Sequence, residues 1–191
     1  QLLLYSEDQW EAFVQEWAHY CLKKQYLEVK RFTGSGDRGI DIAGFTDAKR
    51  LLGVWDNYQC KHYDHPLWPS DVWVELGKVI WYSFRNEFVL PRHYYFVAPK
   101  GAGTSLTALF ANASKLRAQL IANWDDHVRT KITTTQEVPL DAALLAYVNS
   151  VDFSIFGAKT ALQLVEDHRA TSVHVARFGG GLPPRPIADK P

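Results

Sequence analysis

The stretch GSGDRGIDIAGF, residues 34–45, followed after a looser segment by NYQCKHY, residues 57–63, decides how this chain is read. A glycine-rich turn opens directly into IDIAGF, which reads as a β-strand, and VWDNYQCKHY reads as the next strand, with the segment between them closing a hairpin or wider loop. Each strand carries polar groups in an apolar setting, Asp41 in the first and Gln59 and Lys61 in the second. Successive strand residues point to opposite faces, so Gln59 and Lys61 share a face while Tyr58, Cys60 and His62 take the other. With Ile40 and Ile42 turned to the core, Asp41 lies opposite them. Pairing of the two strands then brings Asp41, Gln59 and Lys61 together at one edge of the sheet, with Asp41 and Lys61 expected on its solvent side.

These three residue types explain one another chemically. A carboxylate supplies a hard anionic oxygen for Mg²⁺, and an amide carbonyl adds a neutral one. A lysine beside them offsets the negative charge that builds on a phosphoryl group under attack. Arg38, in the turn next to Asp41, is the best placed of the basic residues for a phosphate contact. Asp37 is explained as well by hydrogen bonding within its own turn as by ligation. Cys60, His62 and His65 lack a second cluster and do not make a zinc pattern.

Outward from this pair, YLEVKRFT (residues 26–33) alternates as a preceding strand, with Tyr26, Val29 and Phe32 on its buried side. Before it, Trp10, Phe13, Val14, Trp17, Ala18 and Cys21 recur at helical spacing over residues 6–24, opened by Ser6 as N-cap with Glu7 and Asp8 behind it. Glu11 sits at the edge of that apolar face and is the helix acid best placed to join the site, ahead of Glu16 and Glu28. Downstream, PSDVWVELGKVIWYSFRNEF (69–88) reads as a second helix opened by Pro69, and RHYYFVAP (92–99) as a fourth strand. Helices are expected over residues 105–128, 140–148 and 158–168. The fold class is therefore α/β, in the order αβββαβ, with a mixed central sheet flanked by helices and further helices at the C-terminal end.

Composition narrows the function classes. The chain has 191 residues, enough for one main domain, and its seven Trp, nine Tyr and ten Phe argue for a packed core over disorder. Lys plus Arg and Asp plus Glu both number 21, so no global field draws in nucleic acid and any basic surface is local. Two cysteines make no disulfide framework and, with no apolar run long enough for a membrane span, the expected location is the cytoplasm. The chain begins at Gln1 and has no Met, so the natural start is expected to lie elsewhere. Residues 171–191 carry a GGG run and several prolines without apolar periodicity, and read as a linker toward a further C-terminal domain, leaving 1–170 as the main domain.

WEAFVQEW, GSGDRGIDI and YQCK together resemble the Mrr-type branch of the restriction-endonuclease-like, or PD-(D/E)xK, nucleases, whose pattern is a helix acid, then G-D-x-G-x-D, then Q-x-K. The resemblance spans roughly residues 5–100. It implies a Mg²⁺- or Mn²⁺-dependent DNA endonuclease in which Asp41, Gln59 and Glu11 serve the metal and Glu11, Asp41, Gln59 and Lys61 form the catalytic set. Where most of the superfamily has Asp or Glu, this chain has Gln59, as is usual in the Mrr branch, which removes one anionic ligand. HYYFVAPKG, Asn123-Trp124 and RFGGGLPPRP also resemble the nuclease domains of CD-NTase-associated and Lamassu-type anti-phage effectors. That second resemblance implies a nuclease held off until a partner subunit or a second messenger releases it. The expected substrate is double-stranded DNA, and the zero net charge makes a homo-oligomer the expected active form, with a sensor domain beyond the linker as a further expected partner. The alternative is a catalytically silent DNA-binding or regulatory module of a defence complex.

Overall fold

In the computed structural model, which describes residues 2–32, 34, 36 and 38–179, the six residues Trp55–Cys60 are all buried. A strand with no exposed side is one covered on both faces. It is the third of five in a mixed open sheet of order β1-β2-β3-β4-β5: β1 Glu28–Arg31, β2 Ile42–Phe45, β3 Trp55–Cys60, β4 His93–Ala98 and β5 Phe156–Thr160. β1 pairs antiparallel with β2 and β2 antiparallel with β3, whereas β4 pairs parallel with β3 and β5 parallel with β4. Parallel pairs need crossovers. Helix α2 (Trp73–Phe84) supplies the first, and α3 (Thr104–Phe110), α4 (Ala113–Ala122) and α5 (Ala142–Ser150) lie in the second.

Each face of the sheet has its own apolar cluster. On one face α1 (Glu7–Cys21) lays Trp10, Phe13, Val14 and Trp17 over Ile42, Tyr58, Cys60 and Val97, joined by Leu164 of α6 (Ala161–His168). On the other, α2 and the helices after it cover Ile40, Phe45, Trp55, Tyr94 and Phe96. Helix α1 starts as expected, with a reciprocal box in which Ser6 Oγ accepts the Gln9 N–H and Gln9 Oε1 accepts the Ser6 N–H. It ends at Cys21, three residues short of the expected end. The order α1-β1-β2-β3-α2-β4 is the one read from the sequence.

The second half departs from expectation. The single helix over 105–128 is three pieces, because Asn112 caps α4 through the Lys115 N–H and Asn123 ends it, handing on to a π-helical turn at Trp124–Val128. Asparagine offers the backbone a competing partner, and here it interrupts the helix twice. Residues 156–160 are the edge strand β5, where a helix was expected from 158, and the helix itself begins only after Thr160, whose hydroxyl caps it through Gln163. Gly77 lets α2 approach the π-helical turn closely: a Cβ there would lie 2.2 Å from Val128 Cγ1. Gly77→Ala should therefore destabilise the protein by about 1–3 kcal/mol through overpacking, read as a lower urea midpoint.

Residues 171–179, read from the sequence as the start of a linker, instead carry α7 (His174–Phe178) docked on α1. Phe178 packs edge-on against Phe13 and His168, and Arg177 holds Glu16 through two hydrogen bonds of 2.7 Å. His168 Nε2 lies 2.8 Å from Glu16 Oε1, and its Nδ1 lies 3.1 Å from His174 Nδ1. The sequence hides this because charged and aromatic groups scattered over three helices meet only after folding. Residues 180–191, the rest of the expected linker, lie outside the described residues, as does Asp37.

Burial lowers the pKa of His168, with Glu16 only partly opposing it, and the Arg177 hydrogen bond outweighs burial to lower that of Glu16. Groups depressed in the fold contribute stability above their ordinary pKa values and lose it as pH falls. Going from about pH 7.5 to about pH 5 should therefore loosen α7, seen as lower protection factors over Val175–Phe178 once the slower intrinsic exchange at the lower pH is divided out. Unchanged protection there would mean that the apolar contacts of Phe178 hold the helix by themselves.

Candidate active site

The turn before β2 is shaped by backbone geometry that favours glycine. Arg38 and Gly39 both have positive φ, 59° and 80°, and a Cβ on Gly39 would lie 3.1 Å from Lys78 Cβ on α2. The turn is thereby pressed against the first half of α2. The Gly39 carbonyl accepts hydrogen bonds from the Tyr94 hydroxyl at 2.8 Å and from Asn57 Nδ2 at 3.3 Å, which ties the turn to β3 and β4.

Past the turn, Ile40 packs into the cluster under α2 while Ile42 packs into the cluster under α1. The two isoleucines were expected on one face; the alternation slips at Asp41, which precedes the first residue of β2. Cys60 directs its N–H toward β2, because its neighbour Lys61 donates to Val97 of β4. The Asp41 carboxylate takes that N–H at 2.8 Å. A side chain thus replaces a backbone partner where β2 and β3 part. Asp41 is only 7% exposed, so it lies beneath the surface and not on the solvent edge.

The other predicted residues are each held by a partner. Gln59 and Lys61 do share the face toward α2. Gln59 is 3% exposed, and its Oε1 lies 2.9 Å from the Tyr94 hydroxyl, whose one proton it shares with the Gly39 carbonyl, and accepts more weakly from Asn57 Nδ2 at 3.4 Å. Lys61 Nζ lies 2.8 Å from Glu75 Oε1 and is largely buried, again unlike the solvent position expected of it. Glu11 accepts from Arg31, whose Nη2 also meets Asp8. Arg38 pairs with Glu87 at 2.7 Å and lies over the Tyr82 ring. Of the competing acids, Glu16 is taken by Arg177 and His168 and Glu28 by Arg50, while Glu11 faces the site.

Glu75 was missed. It stands in the first turn of α2, 7% exposed, with Lys61 on one carboxylate oxygen and Lys78 3.3 Å from the other. Burial alone would raise its pKa, but the charges of Lys61 and Lys78 overcome this and hold it below the ordinary value. For Lys61 burial acts to lower the pKa, and the charge and hydrogen bond of Glu75, with a contribution from Asp41, raise it overall. The lysine is therefore a fixed cation. The signal in the sequence is an acid inside the otherwise apolar VWVELGKVIWY, followed three residues later by a lysine.

A cleft of about 160 Å³ opens at the C-terminal end of β3, lined by Glu11, Lys61, His62 and Tyr63 among others. Asp41 is tied to its lining through the Cys60 N–H, and the Cys60 thiol has its pKa pushed well up by burial first and then by the charges of Asp41 and Glu11. One carboxylate thus lines the cleft beside a lysine, and a second is anchored to a residue of its lining. No known family model, curated protein or solved structure matches the chain. The site must be judged on its own chemistry.

For a hard divalent cation, the carboxylates of Glu11 and Asp41 and the amide of Gln59 are the right donor types. Among the described residues, no three His, Cys, Asp or Glu side chains stand close enough together to form a metal cage. A site with one or two carboxylates that relies on water and substrate oxygens is the usual way for Mg²⁺ to bind. Asp41 suits that role best, its carboxylate being fixed in orientation by the Cys60 N–H. Gln59 turns its oxygen to Tyr94, so it would join only by giving up that hydrogen bond. Among the described residues no helix is long and apolar enough to cross a membrane.

Proposed function

We propose that the chain is a PD-(D/E)xK nuclease domain of the Mrr type, a Mg²⁺-dependent DNA endonuclease serving as the effector of a bacterial anti-phage system. The observation that carries the reading is the meeting of Glu11 and Lys61 in one cleft with Asp41 anchored to a residue of its lining, where β2 and β3 separate. The sheet order, with an antiparallel meander followed by two parallel strands, suits a restriction-endonuclease-like core. Mg²⁺ held by Asp41, with Glu11 and Gln59 as further oxygen donors, would polarise the scissile phosphate. Lys61, kept charged by Glu75, offsets the negative charge that develops on the phosphate oxygens. Glu75 positions the lysine and prevents it from losing its proton in a buried setting.

With no net charge, the domain gains little from counterion release on DNA, so productive binding calls for two or more copies or a further domain. That need agrees with a nuclease held off until a partner or second messenger releases it, the defence arrangement implied by the resemblance to CD-NTase-associated and Lamassu-type effectors. The rival reading is a catalytically silent DNA-binding or regulatory module. It is favoured by one observation: Glu11, Gln59 and Lys61 are all committed to protein partners. Incubating the purified chain with supercoiled plasmid and Mg²⁺, beside Asp41→Asn, decides between them: nicking that vanishes in the variant supports the nuclease, and no nicking by a concentrated native sample supports the silent module.

A further inference from the structure

Three rings stand in a column just beyond the cleft. Tyr63 and His65 stack with centroids 5.2 Å apart and planes 4° from parallel, and His65 stacks on Trp68 at 4.2 Å and 19°. The outer members face water, Tyr63 at 38% and Trp68 at 53% exposure. A lone exposed aromatic needs no explanation, but three parallel rings with both ends open form a continuous π surface.

The column is held rigidly. Asp71 Oδ2 accepts the Trp68 backbone N–H at 2.7 Å and lies 3.9 Å from His65 Nδ1, which is itself 2.9 Å from the Pro66 carbonyl. Leu67, between His65 and Trp68, is fully buried and exchanges backbone hydrogen bonds of 2.9 Å with Gly101 and Gly103. The loop thus presents its rings on a fixed backbone, so that little ordering cost remains for a ligand. The column is also continuous with the candidate site. Tyr63 and His62 line both the cleft that holds Glu11 and Lys61 and a second cleft that includes Lys100.

We propose that the Tyr63–His65–Trp68 column is a stacking platform for unpaired nucleobases, which leads a single strand into the cleft of Lys61. This rests on the nuclease reading and adds to it a substrate class. In a duplex the base faces are buried against one another, so only an unpaired, frayed or melted segment can offer them to the column. Stacking is sequence-tolerant and independent of net charge, which gives a neutral protein a hold on a polynucleotide that its electrostatics do not provide.

The test is fluorescence anisotropy in EDTA, with a labelled oligothymidylate and a labelled duplex of the same length, on the native chain, Trp68→Ala, Trp68→Phe and, as a control, Tyr20→Ala, whose exposed ring lies on α1. Expected are tighter binding of the single strand than of the duplex, a rise in Kd of about tenfold in Trp68→Ala, and near-native Kd in Trp68→Phe and in the control. Equal or tighter binding of the duplex, or an unchanged Kd in Trp68→Ala, overturns the platform. Plasmid nicking by the same proteins, with Mg²⁺ in place of EDTA, separates the two claims: nicking without a Trp68 effect on binding removes the platform alone, and a Trp68 effect without nicking removes the nuclease alone.

Discussion

Asp41→Asn should lower plasmid nicking by about 10³-fold while the protein stays folded. The amide is nearly isosteric with the carboxylate, and its oxygen can still accept the Cys60 N–H that Asp41 holds at 2.8 Å, so the junction of β2 and β3 keeps its shape. What is lost is the negative charge best placed to hold a cation. Asp41→Ala is the poorer experiment, because it leaves a buried N–H without its acceptor and costs about 1–3 kcal/mol of stability. The check is conversion of supercoiled to open-circular plasmid over a time course with Mg²⁺, beside a thermal melt of the same sample. Nicking by Asp41→Asn at a near-native rate would falsify the assigned site.

Lys61→Met should destabilise the fold by about 3 kcal/mol as well as abolish cleavage, since it removes the closest partner of a buried carboxylate. The loss falls toward the lower end for breaking a buried pair because Lys78 still stands 3.3 Å from Glu75. Adding Glu75→Leu to this variant should recover most of the stability and none of the activity, because a buried ion pair exchanged whole for apolar groups is often neutral. Recovery of stability without cleavage separates the lysine's chemistry from its place in the fold.

The sign of the pH dependence follows from the same pair. In the native chain Glu75 titrates below its ordinary value, so its stabilising charge is present above that value and is lost as pH falls through the depressed one. With Lys61 gone, burial acts more nearly unopposed on Glu75 and favours its protonated form. Urea denaturation of Lys61→Met should then show a smaller deficit against the native chain at about pH 5 than at about pH 7. An equal deficit at both would mean that Lys78 alone keeps Glu75 charged.

Local signals carried the reading of the first hundred residues. Ser6 as an N-cap and the short apolar runs each act over a few residues, and the first helix and first four strands recur in the order read, although the faces expected of Ile40 and Phe32 do not. The candidate residues share this legibility, since Asp41, Gln59 and Lys61 stand out as polar groups in apolar strands. Their partners do not. Glu75 shows in the sequence only as an acid in an apolar run, with nothing to name its partner, and only the packing of α2 against Gly39 brings it to Lys61. Nor does anything in FGAKT announce a strand, with Gly157 in it and no apolar alternation; β5 exists because β4 presents an open edge to it.

Composition, period and capping determined by themselves an α/β chain, its first helix, its first four strands and the polar trio in and beside two of them, because those features depend on neighbours in sequence. The tertiary structure alone decided the break of alternation at Asp41, the pairing of Lys61 with Glu75, the fifth strand and the docking of α7 on Glu16. Each of these is a contact between segments far apart in the chain, and its free energy exists only once burial has removed water from both sides.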